Sequence, residues 1–229
     1  MKINNISKDL ARHPTKKYKT RLISKIDTII IHCSDHATAT PEDIARWDIT
    51  PTYEALGKVY KNNLSDTGAP GMTYHDFVYA NGDAAHCQDY NVVTWHAAGH
   101  NTRSLSVCIQ YRATGNKKPP TKKCLSKLVR LLTFQCLYLG ILPVLGKTKG
   151  HRECKGTGFI FDTTGKKKLR KTCPGLLVDL DDMRKQVATR LQKKLQSEGI
   201  YLGAIDGLFG KKSKAALKQF QIQTFPGGI

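Results

Sequence analysis

The run Ile26-Asp27-Thr28-Ile29-Ile30-Ile31, closed by His32, most constrains how this chain folds. An apolar run this short and this β-branched reads as a buried strand. Thr40-Pro41-Glu42-Asp43 then sets Thr at an N-cap, Pro at the first helical position and acids in the first turn, a helix start leading into Ile44-Ala45-Arg46-Trp47. Tyr74 to Ala80 (YHDFVYA) reads as a second strand closed by the hairpin signal Asn81-Gly82, and Leu105 to Tyr111 (LSVCIQY) as a third. Over residues 121–141, Leu125, Leu128, Val129, Leu132, Cys136 and Leu139 recur at helical spacing. Strands and helices in this order predict a mixed α/β domain.

Composition narrows the function classes. The 229 residues carry 37 Lys+Arg against 18 Asp+Glu, a formal net charge of +19. Such a charge points to a polyanionic partner: nucleic acid, an anionic membrane surface or a cell-wall polymer. With 40% hydrophobic residues a packed core is expected and global disorder is not. No apolar run approaches the roughly 18 residues that span a bilayer. The N-terminal stretch MKINNISKDLARHPTKKYK has charge but no apolar core of a signal peptide. Seven cysteines without a CxxC pair read as reduced thiols made in a cytoplasm, most of them core fillers.

Residues 1–25 read as a basic, polar arm, and residues 26–180 as the main domain. Beyond Cys173-Pro174-Gly175 the pattern changes. Val187, Leu191 and Leu195 recur every four residues, so 183–198 reads as an amphipathic helix ended by Gly199. A glycine-rich turn follows, Ala204 to Gly210, then a second helix from near Ser213 with Ala216, Leu217 and Phe220 on one face. Residues 184–229 therefore read as a compact helical module, with the boundary between about 178 and 186.

Three places combine metal-ligating side chains with sharp local structure: His32, Gly150-His151-Arg152-Glu153, and Lys171-Thr172-Cys173-Pro174-Gly175. Two imidazoles and a thiolate make a good zinc set, since catalytic zinc commonly takes three protein ligands and keeps a fourth position open. A bound cation lowers the pKa of water towards about 7 and polarises a carbonyl. Spacing alone does not single out this trio, because eight histidines offer many others.

The segments IIIHCS (29–34), MTYHDFVYANG (72–82), WHAAGHNTRSLSVCI (95–109), GHRE (150–153) and KTCPG (171–175) stand in the order of a known family. Over residues 26–178 the chain resembles the zinc-dependent type 2 N-acetylmuramoyl-L-alanine amidases, which include T7-type phage lysozymes and peptidoglycan recognition proteins. The resemblance implies a mixed central β-sheet flanked by helices. It implies zinc on His32, His151 and Cys173, with Tyr74 and Lys171 at the catalytic centre. It also implies hydrolysis of the amide between the muramoyl lactyl group and L-alanine, where a Lys ammonium and a Tyr hydroxyl can stabilise the developing oxyanion. Tyr74 with water, or Glu153 from behind the ligands, is a candidate proton shuttle. His96 and Asn101 match the family's HAxGxN segment along the substrate groove. His75 is expected on the opposite strand face from Tyr74, as a structural residue. His36, His86 and His100 read as surface or loop residues, and Cys33 and Cys154 as neighbours of the site. The basic stretch 155–170 is a long insertion that reads as a hairpin turning at Thr164-Gly165.

Residues 187–221 resemble a small three-helix peptidoglycan-binding domain through the pattern LQ…IDGLFG…AALKQFQ, with a binding surface expected around Tyr201, Asp206 and Phe209, and with Leu208 and Phe209 as alternative core residues. A tethered second binder would raise the effective substrate concentration. Together the resemblances imply a monomeric phage endolysin, made in the host cytoplasm and acting on peptidoglycan once released. Anionic wall or outer-membrane polymers are further partners. Two rivals are a non-catalytic peptidoglycan receptor and a basic nucleic-acid-binding protein; the first reading needs no nucleic acid.

Overall fold

The computed structural model describes residues 2–55, 57–62, 64–154, 159–161, 167–169 and 172–227. Its elements in chain order are β1 (Asn4–Asn5), β2 (Thr28–Cys33), α1 (Pro41–Asp48), the hairpin β3 (Thr52–Ala55) and β4 (Lys58–Lys61), β5 (Asp76–Val78), β6 (Ala84–His86), β7 (Ser104–Ile109), α2 (Lys122–Leu139), β8 (Thr148–Gly150), β9 (Phe159–Phe161), β10 (Lys167–Leu169), α3 (Leu180–Ser197) and α4 (Lys211–Thr224). Six strands form one mixed sheet in the order β1-β6-β5-β7-β2-β8. Only β5 and β6 pair antiparallel within it, across the turn that carries Gly82 at φ +93°.

The isoleucine run occupies β2, flanked on both sides by parallel strands and buried along its whole length. Its alternation sorts the residues by face. Ile29, Ile31 and Cys33 join Leu105, Val107 and Ile109 of β7 in the core shared with α2 and α3. Ile30 packs with Ala97 and Cys154 on the other side, and His32 follows it on that face. The helix start at residue 40 is a full capping box: the Thr40 side chain accepts from the Asp43 N–H, and the Asp43 carboxylate accepts from the Thr40 N–H.

Two expectations are revised. The N-terminal segment is not a separate arm: β1 adds an edge strand to the sheet, Leu10 is buried, and the Arg21 guanidinium donates to the carbonyls of Tyr90 and Asn101. In the region of the expected boundary, between about 178 and 186, the helix α3 begins at Leu180, N-capped by Asp179. Among the described residues, the C-terminal module expected to hold three helices has two α-helices, α3 and α4, and the turns between them. Val187, Leu191, Leu195, Tyr201, Phe209 and Leu217 join the same core as Leu128, Leu132 and Cys136 of α2. The expected hairpin of the insertion is present as the antiparallel pair β9–β10, with Lys167 opposite Phe161. Its turn at 164–165 lies outside the described residues, and so does Lys171. No helix among the described residues is long and apolar enough to cross a membrane.

Candidate metal and catalytic site

Strand register brings the first two ligand candidates together. β8 pairs parallel to β2 with Gly150 opposite Ile31, so the next residue of each strand, His151 and His32, stand side by side. Their ring centroids are 4.6 Å apart. Cys173 arrives from the segment before α3 and is tied to both. The Cys33 N–H donates to its sulfur at 3.3 Å, and its carbonyl accepts from the Arg152 N–H at 2.8 Å. This close approach explains Gly150: a Cβ there would lie 2.7 Å from Leu180 Cδ1 and 2.8 Å from Pro174 Cδ.

The ligand atoms of His32, His151 and Cys173 all lie within 4.8 Å of one another. His32 Nδ1 is 3.7 Å from Cys173 Sγ. A tetrahedral zinc with ordinary Zn–N and Zn–S lengths separates two such donors by about 3.6 Å. The donor set therefore fits a borderline-soft divalent cation. Burial and the adjoining Cys33 thiol raise the Cys173 pKa, with the neighbouring thiol the larger cause. Cation binding there has to displace a proton.

Tyr74 stands beside these groups, its ring centroid 5.1 Å from that of His32. Burial raises its pKa, so its hydroxyl remains a donor at neutral pH. His96 is buried behind His32, with Nδ1 3.1 Å from His32 Nε2. Asn101 holds that loop by accepting the N–H groups of His96 and Ala97 on its side-chain oxygen.

A scan against family models matches residues 23–176 to N-acetylmuramoyl-L-alanine amidase and residues 185–225 to a putative peptidoglycan binding domain. The chain belongs to the N-acetylmuramoyl-L-alanine amidase family. Among solved structures it is similar in fold to the N-acetylmuramoyl-L-alanine amidase LysC from Clostridium intestinale URNW, at 16% identity and TM-score 0.55, covering 82% of this chain and 97% of that one. It is equally similar to the Ph2119 endolysin from the Thermus scotoductus MAT2119 bacteriophage Ph2119, at 16% identity and TM-score 0.55, covering 81% and 99%. No curated protein matches the chain.

Several expected roles in this amidase are altered by the geometry. Glu153 is already engaged: its carboxylate accepts the Gly150 N–H at 2.9 Å and both guanidinium nitrogens of Arg184, at 2.9 and 3.1 Å. It braces the His151 turn, which leaves it poorly placed to shuttle a proton. Arg184 comes from α3, and no spacing in the sequence links it to the GHRE segment. His75 is fully buried and structural, as expected. Its Nδ1 accepts the Ser106 N–H and its Nε2 lies 2.9 Å from the Val92 carbonyl. His86 is not a simple surface residue, since Nδ1 lies 2.9 Å from the buried Asp76 carboxylate. Cys33 and Cys154 adjoin the site as expected.

Of the surface expected in the C-terminal part of the amidase, the two aromatic members are corrected. Tyr201 and Phe209 are buried, and the Tyr201 hydroxyl donates to the Ala204 carbonyl. The Asp206 carboxylate accepts from Gln192 Nε2 and the Leu208 N–H. Tyr201 and Phe209 thus pack into the core beside the buried Gln192 amide, while Asp206 stays exposed on the turn. Leu202 and Leu208 are the strongly exposed apolar residues of this turn.

Proposed function

We propose that this amidase is a zinc-dependent endolysin that cleaves the amide between the muramoyl lactyl group and L-alanine of peptidoglycan. The observation that carries the proposal is the convergence of His32, His151 and Cys173 ligand atoms within 4.8 Å. These three side chains would hold the zinc, which supplies Lewis-acid activation of water and of the scissile carbonyl. The Tyr74 hydroxyl, kept protonated by burial, donates a hydrogen bond to the oxygen on which charge develops. Lys171, two residues before Cys173, is assigned the same task by its place in the KTCPG motif. Asn101 fixes the loop that bears His96, beside the ligands. The match over 185–225 supports peptidoglycan as the bound polymer, and the charge of +19 suits an anionic wall. In this reading the enzyme is made in the host cytoplasm, acts as a monomer, reaches the wall on release and lyses the cell.

The test pairs two measurements on purified protein: zinc content, and release of peptides with a new N-terminal L-alanine from peptidoglycan. The expected result is one zinc per chain and peptide release without new reducing sugar ends, both lost in Cys173→Ala. Zinc with no cleavage of any wall type would instead make the chain a receptor. Neither zinc nor cleavage would reject the proposal.

A further inference from the structure

Behind His32 runs a chain of polar contacts that ends on a backbone carbonyl. His32 Nε2 lies 3.1 Å from His96 Nδ1, and His96 Nε2 lies 3.1 Å from Ser104 Oγ. Ser104 Oγ donates to the His100 carbonyl at 2.7 Å. His96 and Ser104 are both buried. Ring nitrogens do not announce their protons, but a carbonyl can only accept, and that fixes the direction of every link. The Ser104 proton is committed to the His100 carbonyl. Ser104 Oγ therefore accepts from His96, so His96 carries its proton on Nε2. His96 Nδ1 is then a bare acceptor, and His32 must donate to it from Nε2. His32 Nδ1 is left with its lone pair, and Nδ1 is the nitrogen that faces Cys173 Sγ at 3.7 Å.

We infer that His96 and Ser104 are positioning residues that set the tautomer of His32, so that Nδ1 presents its lone pair on the Cys173 side, ready for a metal. The inference rests on the zinc reading above and gives His96 a task distinct from touching substrate. A metal-ligating histidine is oriented by what its other ring nitrogen donates to, and here that acceptor is a second imidazole polarised in turn by a serine. Asn101 belongs to the same device. By taking the N–H groups of His96 and Ala97 it holds the His96 backbone in register with Ser104. The loop 96–101 and the first residue of β7 thus serve the ligand at the end of β2.

Two readouts independent of activity test this. The first is the His32 tautomer in metal-free protein at neutral pH, read by long-range nitrogen–proton correlation NMR. Wild type is expected to carry the proton on Nε2. In Ser104→Ala the terminal acceptor is gone, His96 can reverse, and the His32 proton should divide between its two nitrogens. The second is zinc affinity by chelator competition, expected to fall about 10–100-fold in Ser104→Ala and in His96→Phe. Ser104→Thr keeps the hydroxyl and should restore both readouts, which separates the relay from a packing defect. An unchanged His32 tautomer with unchanged zinc affinity in folded Ser104→Ala overturns the inference. If wild type takes up no zinc, the amidase proposal fails on its own, and the tautomer measurement still decides the relay.

Discussion

At the scale of single residues, burial does as much as identity. His75 sits one position from Tyr74, just ahead of β5, and is fully buried. There burial, with the Arg21 guanidinium adding to it, pushes its pKa down to about 3. The unfolded chain titrates this group near 6.5. Between those values the unfolded state binds a proton that the native state refuses, so stability rises with pH through this window and is lost as pH falls below about 6.5. The loss approaches about 1.4 kcal/mol per pH unit for one such group. His86, whose pKa is raised chiefly by the Asp76 carboxylate against the cost of burial, acts in the opposite sense. Its contribution is present below the unfolded value and fades as pH rises above it. Urea unfolding of metal-free protein at pH 7, 6, 5 and 4 should show a steeper acid loss in wild type than in His75→Asn, whose amide oxygen can still accept the Ser106 N–H. Equal slopes would remove His75 as the cause. The three ligand candidates, by contrast, were legible as residue types beside strand ends and turns, and linked motifs chose among eight histidines. The sequence leaves Phe209 open between core and surface and places Tyr201 on the surface, because an aromatic side chain in a glycine-rich turn looks the same in sequence whether it faces wall or core; both are buried.

At the scale of elements, the long or strongly patterned ones were readable and the short ones were not. β2, α1, α2 and α4 fall within a few residues of their expected positions because their burial follows a period or a cap. β1 and β8 have two and three residues, too few to carry any period, yet β8 aligns His151 with His32. What holds the β8 turn comes from α3. Arg184 is only 7% exposed and donates to Glu153, Asp181 and the Thr148 carbonyl. Removing it leaves a largely buried Glu153 carboxylate without its counter-charge, so Arg184→Ala should cost on the order of 2–3 kcal/mol, below the usual figure for a fully buried pair. The Asp181 contact is exposed and adds little. Because Glu153 also holds the Gly150 N–H, the His151 turn should loosen as well, and zinc retention against a chelator should weaken in step with stability. A variant that loses stability but holds zinc as tightly as wild type would show that α3 does not brace the ligand turn.

At the scale of the whole molecule, the two family matches do not correspond to two independent bodies. Sequence periodicity locates a helix at 183–198 but says nothing of what its apolar face covers. Val187, Leu191 and Leu195 of α3 pack into the core of the sheet domain, α3 and α4 both contact α2, and Gln221 of α4 donates to the carbonyls of Leu137 and Tyr138 at the end of α2. An avidity argument needs a tether whose length sets an effective concentration, whereas here α3 begins two residues after the buried Val178. The part matched to the putative peptidoglycan binding domain then shares its core with the sheet domain, and its first helix is also part of the support for His151. This arrangement predicts one cooperative calorimetric transition for the full chain, with equal calorimetric and van't Hoff enthalpies, where a tethered pair would show two. Leu191→Ala, at a fully buried position, should lower stability by about 2–5 kcal/mol and shift that single transition as a whole. Truncation after Asp179 should strip the apolar face of α2 and cost the amidase its fold and its zinc, beyond any loss of wall binding. A truncated chain that stays folded, metal-loaded and active on soluble muropeptide would show instead that the C-terminal helices are an accessory and that their shared core adds little to the catalytic domain.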